Sequence, residues 1–390
     1  MRSYRLAALL GLGIAAFTTT STFAQNGVSA DKIVLGQAAA LEGPAAALGQ
    51  GMREGLLAAF DEANRAGGVK GRKIELISVD DGYEPNKSIE ATKKLIEQDK
   101  VFAMVGSVGT PTSAATQPIA SEAGVPFIGA FTGAEFLRDP YKAMVVNVRA
   151  SYFQETEAMV EHLTKDLGVA KIAIFYQDDA FGQAGLAGVK RALDKRKMQL
   201  VAEGTYERNT TAVKGALLAI KKAEPEAVIM IGAYKPCAEF IKLAHQVKLD
   251  ATFVNISFVG SDALAKELGP DGAGVVVTQV VPLPQDTSIG LVGRYQAALK
   301  AMKPDAKPGF VSLEGYIVGR LTVAALGKIE GDITRQAMLE AITKQGGFDL
   351  GGITLTYGAD NNRGSSQVFL TIIQPDGSLK AVDRLTKVSG

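Results

Sequence analysis

One cysteine, two histidines and no tryptophan occur in 390 residues, and each scarcity removes a class of explanation. Cys237 alone cannot close an internal disulfide, so burial of apolar surface must hold the fold, and no Cys-x-x-Cys pair is present for zinc or redox exchange. His162 in "EHLTKDLG" and His245 in "KLAHQVKL" each fall within an amphipathic helical pattern, where packing or exposure outweighs catalysis. There is no His-Glu-x-x-His, no Gly-x-Ser-x-Gly elbow and no Gly-Lys-Ser/Thr phosphate loop. A pair of carboxylates acting as acid and base stays open, because spatial pairing is invisible in a sequence. Net charge is also lacking: 42 basic against 41 acidic residues, mixed along the chain, leave no footprint for nucleic acid or an anionic membrane.

Long apolar runs are scarce too. The one that stands out is "LAALLGLGIAAF", preceded by Arg2 and Arg5 and followed by the small residues of "TFA", the pattern of a cleaved export signal over residues 1–24. It is too short to span a bilayer, which takes about 20 residues. No cysteine stands at the cleavage point for a lipid anchor, so the mature product is expected to be soluble. Roughly 365 residues remain, more than one hydrophobic core usually serves, so two domains are expected.

What is present is an alternation. "KIVLGQAAA", "KIELISV", "VFAMVG", "GVPFIGA" and "AMVVNV" read as strands, separated by helices over 51–66 and 87–98. After a short crossover near 148–151 the alternation restarts, with a helix over 154–167 and the strands "KIAIFYQ", "LVAEGTY" and "AVIMIGA". Strands this continuously apolar belong to parallel sheets covered on both faces. The tail segments "ITLTYG", "QVFLTIIQ" and "LKAVDRL" look like a hairpin and an edge strand.

"LGQGMREGL" resembles a phosphate loop, and Asp80 and Asp81 stand where a ribose-binding acid could fall. However, its first glycine does not follow the strand directly, and the glycine spacing is off by one residue. A better account comes from the second unit. Gly49, Gln50 and Gly55 are echoed by Gly182, Gln183 and Gly188, each set at the start of the first helix of its unit. This internal repeat predicts two similar lobes with glycines where helix and sheet approach closely. A cleft between two such strand edges suits a small, partly anionic molecule.

The loops facing that cleft are rich in hydroxyls. "GSVGTPTSAATQP" and "GAFTGAEFL" offer Thr110, Thr112 and Thr132 with backbone donors, a composition that holds a carboxylate without any basic residue. Helix capping by the same residues is the competing reading.

At these residues the chain resembles the periplasmic branched-chain amino-acid-binding proteins, the solute receptors of ATP-driven (ABC) uptake systems. The likeness extends from "IVLGQAAALEGPAAALGQG" through "TQPIASEAGVPFIG" to "IAIFYQDDAFGQAG". It implies an α/β type I periplasmic binding protein: two Rossmann-like lobes with parallel sheets, joined by three crossovers. The N-terminal lobe would take residues 28–147 with about 281–350, and the C-terminal lobe 148–280 with about 351–390. It further implies a monomeric, non-enzymatic periplasmic protein without cofactor or metal, which binds an amino acid or related carboxylate and delivers it to an inner-membrane ABC permease. A ligand-presenting sensor subunit, or a receptor for a non-amino-acid carboxylate such as an aromatic acid, is the alternative.

By position, the ligand carboxylate falls to Thr110 or Thr112 and to the loop of Ala130 and Thr132. Phe181 and Tyr234 close from the second lobe, Phe310 contacts from the returning segment, and Tyr152 lies on the first crossover. Core packing competes for each aromatic. Two departures stand out. Ser257 occupies the place of the acid that meets the ligand ammonium in leucine-binding members, leaving Glu42, Asp262 or Glu314 to supply the charge, or else a ligand without an α-amino group. Tyr83 and the region of Gly109 stand where some members carry a cysteine pair.

Overall fold

The alternation is realised twice over, as shown by a computed structural model that describes residues 26–386. The expected export signal over 1–24 lies outside the described residues. The first unit runs β1 (Lys32–Ala39), α1 (Ala46–Arg65), β2 (Lys73–Asp80), α2 (Pro85–Glu97), β3 (Met104–Val105), α3 (Thr110–Glu122), β4 (Phe127–Ile128) and β5 (Val145–Val146). Its strands are parallel in the order β2-β1-β3-β4-β5.

The second unit runs α4 (Tyr152–Lys165), β6 (Ile172–Gln177), α5 (Ala180–Asp194), β7 (Leu200–Tyr206), α6 (Lys214–Lys222), β8 (Ala227–Ile231), α7 (Tyr234–Gln246), β9 (Thr252–Asn255), α8 (Ser261–Leu268) and β10 (Val276–Gln279). Its parallel strands lie in the order β7-β6-β8-β9-β10, the same winding as the first. The internal repeat is therefore structural. The central strands β6 and β8 are buried throughout, as their unbroken apolar runs require, while the edge strand β7 alternates.

The chain then returns to the first unit with α9 (Gly290–Met302), α10 (Phe310–Lys328) and α11 (Arg335–Gln345). A small antiparallel pair, β11 (Gly347–Asp349) with β12 (Thr354–Thr356), follows. Last comes a hairpin of β13 (Phe369–Ile373) and β14 (Leu379–Val382), which adds an antiparallel edge beside β10. The hairpin turns over the expected "PDG", but "ITLTYG" pairs with β11 and not with the hairpin. Three crossovers thus join two Rossmann-like lobes, passing between β5 and α4, between β10 and α9, and between β12 and β13.

The first sheet buries both faces in alternation. Met104, Phe127 and Val145 join one apolar cluster under α2 and α3. Val105, Ile128 and Val146 join another that continues through the space between the lobes into the second sheet.

The repeated glycines explain themselves sterically. A Cβ on Gly49 would overlap Ala40 O, and one on Gly182 would overlap Gln177 O, so each lobe brings the helix that follows its first strand onto the end of that strand. Helix α1 starts five residues earlier than expected, at Ala46, and these glycines sit within the first turns. A Cβ on Gly55 would strike Ser312 O, because α1 and α10 touch backbone to backbone. Helix α10 is buried along most of its length, with 14 of its 19 residues out of solvent. Among the described residues it alone is long and apolar enough to cross a membrane, a second apolar run beside the N-terminal one; 78% of its apolar window is buried in the fold, so it is a core helix.

Candidate functional site

Helix α3 starts directly after the β3 turn, with Gly109 at φ +110 as its N-cap residue. A Cβ there would overlap the ring of Tyr83, itself a non-glycine residue at φ 62, so ring and turn lie in contact. The two places that the resemblance matches to a cysteine pair thus meet here through an aromatic ring and a glycine.

Beside this turn, Thr110 Oγ1 lies 2.7 Å from Thr132 Oγ1 and 3.5 Å from the Tyr152 hydroxyl. All three residues are fully buried. Thr132 also accepts the Ala134 N–H at 3.2 Å. Thr112 is different: its hydroxyl donates to Val108 O at 2.5 Å, closing onto its own turn, so Thr110 is the one whose hydroxyl faces the cluster. Ala130 packs in the apolar layer under α2 and α3.

The second lobe contributes rings. Asp179 caps α5 by accepting the Phe181 N–H at 2.9 Å, which sets the Phe181 ring 5.5 Å from Tyr152 and 4.5 Å from Phe258. Phe258 follows Ser257 in a short turn after β9 and reaches across to Phe131 at 5.3 Å and Tyr83 at 5.9 Å. Tyr152 begins α4, whose start is fixed by a capping box between Ser151 and Gln154. Two rings from each lobe and one from the crossover therefore close the gap between the sheet edges.

Tyr234 and Phe310 lie to one side of this cluster. The Tyr234 hydroxyl accepts the Ala47 N–H at 3.4 Å, and the Phe310 N–H donates to Asp262 at 3.0 Å. Both contacts border a groove of about 670 Å³ lined by Leu48, Gly260, Asp262, Gly309 and Val311.

Charge is the unexpected component. Arg149, on the first crossover, is 1% exposed. Its Nη2 donates to the Ser257 hydroxyl and lies 3.5 Å from Glu155, its Nε lies 3.6 Å from Glu314, and its guanidinium sits 4.8 Å from the Phe131 ring centre. Nε and Nη1 have no hydrogen-bond partner among the described residues. Burial works against the charge of Arg149, but Glu314 and Glu155 outweigh it and raise the guanidinium above its usual value.

Glu155 is fully engaged, accepting from Ser257 N–H at 3.0 Å, the Ser257 hydroxyl at 2.9 Å and the Thr278 hydroxyl at 2.7 Å. Burial pushes the Glu314 carboxyl up to about 7 despite Arg149. A second buried guanidinium, Arg138, donates to Ala134 O at 2.9 Å, Thr132 O at 3.3 Å and Arg149 O at 3.1 Å, pinning the threonine loop to the crossover. Two arginines, which the sequence reading did not place here, are thus buried with the threonines.

Of the three acids considered for an ammonium, only Glu314 is buried in this cluster. Glu42 is exposed on the loop after β1, and Asp262 is exposed at the start of α8. Sequence reasoning missed Arg149, Arg138, Glu155, Phe131 and Phe258. A signal existed for Arg149, a charged residue at the end of the buried strand run "VVNV" and three residues before the noted Tyr152.

Comparison with known proteins adds to this geometry. The sequence profile described as "Periplasmic binding protein" matches residues 32–378. A Leu/Ile/Val-binding protein homolog of Brucella abortus is 24% identical over 96% of each chain. A leucine-, isoleucine-, valine-, threonine- and alanine-binding protein of Pseudomonas aeruginosa is 25% identical over 68% of this chain and 70% of its own. Among solved structures, a possible leucine/isoleucine/valine-binding protein from Rhodopirellula baltica superposes with a TM-score of 0.87 at 39% identity, covering 93% of this chain and 98% of that one. A substrate-binding periplasmic protein from Ralstonia solanacearum gives 0.84 at 25%, covering 90% and 99%.

Proposed function

Because the chain belongs to the periplasmic binding protein family, we propose that it is the periplasmic solute receptor of an ABC uptake system, binding a small carboxylate between its lobes and presenting it to an inner-membrane permease. The observation that carries this is the buried Thr110–Thr132 hydroxyl pair at the start of α3, beside Arg149 and opposite rings from the other lobe. Hydroxyls, a helix N-terminus and a guanidinium together suit a carboxylate, since hydrogen bonds to a charged acceptor are among the stronger ones. Relatives named for leucine, isoleucine and valine binding support a ligand of that size. Ligand contacts with both lobes favour the closed form over the open one, which is how a hinged receptor signals occupancy. The protein performs no bond chemistry in this reading.

A thermal-shift screen of amino acids, aliphatic acids and aromatic acids tests it. A ligand at 100 times its dissociation constant adds about 2.7 kcal/mol of stability. With that ligand, Thr110→Ala and Thr132→Ala are each expected to weaken binding by about 1–3 kcal/mol in calorimetry. Unchanged affinity in both variants removes the site assignment.

A further inference from the structure

The charges in the cleft constrain the ligand more narrowly than the hydroxyls do. An α-amino acid brings an ammonium that needs a carboxylate partner once it is out of water. None of the buried carboxylates around the cluster is free to serve: Asp81 already accepts the Tyr83 N–H at 2.9 Å and the Ser88 hydroxyl at 2.8 Å. Glu155 already accepts from Ser257 N–H, the Ser257 hydroxyl and the Thr278 hydroxyl, and it faces Arg149. Ser257 is a neutral residue whose N–H and hydroxyl are spent on Glu155 and Arg149. Glu314 lies against Arg149 at 3.6 Å, so the guanidinium is already its charge partner, and burial disfavours its ionised form.

On the other side of the balance stand two buried guanidiniums, Arg138 and Arg149. Arg138 is fully committed to backbone carbonyls, whereas Arg149 keeps two nitrogens, Nε and Nη1, without a hydrogen bond. Its planar group is held between the rings of Phe131, 4.8 Å from the guanidinium carbon, and Tyr152, at 5.9 Å. The Tyr152 hydroxyl in turn is 3.5 Å from Thr110. Arg149 thus keeps unused donors inside the cluster, and this built-in cation occupies the region where a ligand ammonium would need an anion.

Resting on the carboxylate-receptor reading above, we propose that the ligand is a monocarboxylate without an α-amino group, its carboxylate met by Arg149 with the Thr110–Thr132 pair and its hydrocarbon part enclosed by Tyr83, Phe131, Phe181 and Phe258. Tyr83, Phe131 and Phe181 each pack on Phe258, with ring centres 5.9, 5.3 and 4.5 Å away, and on parting around a ligand they offer it apolar area, which fits an aliphatic or arylalkyl acid.

The test uses ligand pairs that differ only in the amine, titrated calorimetrically into the unaltered protein: 4-methylpentanoate against L-leucine, and 3-phenylpropanoate against L-phenylalanine. In at least one pair the acid binds about 100-fold or more tightly than its amino counterpart, the scale set by an unpaired buried ammonium. An amino acid that binds as tightly as its acid overturns the proposal and leaves the carboxylate-receptor reading standing. If neither member of either pair binds while another amino acid in the screen does, the proposal again falls alone; if no carboxylate binds, both fall.

A second arm addresses Arg149 itself. Arg149→Lys keeps the charge but loses the planar fork, so affinity for the acid drops about tenfold or more, with circular dichroism confirming a folded protein. Acid affinity within twofold of the unaltered chain refutes the role of Arg149, and a variant that does not fold leaves the ligand pairs to decide.

Discussion

Removing Glu84 should loosen the mouth of the cleft without harming either lobe. Glu84 lies on the turn between β2 and α2, while Arg208 and Asn209 lie on the turn between β7 and α6, so their contacts bridge the two lobes. Arg208 Nη2 is 2.8 Å from Glu84, and Asn209 Nδ2 donates to Glu84 at 2.7 Å and to Gly82 O at 3.0 Å. Glu84→Ala deletes the first two and spares the third. The side chain of Glu84 makes no capping bond at the start of α2, and Arg208 retains Asp179 at 2.9 Å within its own lobe, so local structure loses little.

The ion pair is partly solvated, with side-chain exposures of 21% and 40%, which limits it to about 0.2–1 kcal/mol. The neutral donor to a carboxylate adds about 0.5–1.5 kcal/mol. Together they amount to about 1–2 kcal/mol, held only when the lobes are together, which corresponds to about 5- to 30-fold in the closing equilibrium and in apparent affinity. Stopped-flow release should accelerate by a similar factor, and the difference from the unaltered protein should shrink in high salt. Urea denaturation of the ligand-free variant should be nearly unchanged. The reverse pattern, an unaltered dissociation constant with a loss of ligand-free stability, would refute the reasoning, because the contacts would then be supporting the fold and not closure.

Three further outcomes are expected. Burial raises Glu314 from the ordinary 4.5 to about 7, against Arg149, with Glu155 adding to the rise and Arg138 opposing it. The folded state then holds a proton that the unfolded chain gives up, so the contribution of Glu314 to stability falls as pH rises from about 4.5 to 7. Glu314→Gln removes that dependence, and urea titrations near pH 5 and pH 8 should show the variant gaining on the unaltered protein by up to about 3 kcal/mol at the higher pH; a constant difference would count against a protonated Glu314. Gly182→Ala and Gly49→Ala place a Cβ onto backbone oxygens and should each cost about 1–3 kcal/mol or more of stability. Gly215→Ala, inside α6 with open space around it, should instead be neutral or stabilising by up to about 1 kcal/mol, and equal effects at all three positions would undo the packing account.

Much of the architecture could be read from one-dimensional signals. Continuously apolar "KIAIFYQ" and "AVIMIGA" became fully buried central strands, because a strand covered on both faces has no position left for a polar residue. The later strands of the opening unit are shorter than their apolar runs: "VFAMVG" and "GVPFIGA" hold a regular ladder for two residues each, although backbone bonds such as Gly36 N–H to Ala103 O at 2.9 Å continue beside it. Of the candidate site, Thr110, Thr132, Tyr152 and Phe181 come together, whereas Thr112 turns into its own helix and Tyr234 and Phe310 border a neighbouring groove.

Chain pattern alone settled that there are two glycine-marked α/β units in series, since helix and strand periodicity and the steric need for glycine at a helix–strand contact are local properties. Tertiary structure decided which charges are buried. Nothing in the sequence brings Arg149, Glu155, Ser257 and Glu314 to one buried point, and Ser257 lies 108 positions from the arginine it touches. Only the crossovers, by bringing the first connection, the β9 turn and the returning helix α10 to one point, take them out of water and make their charges matter.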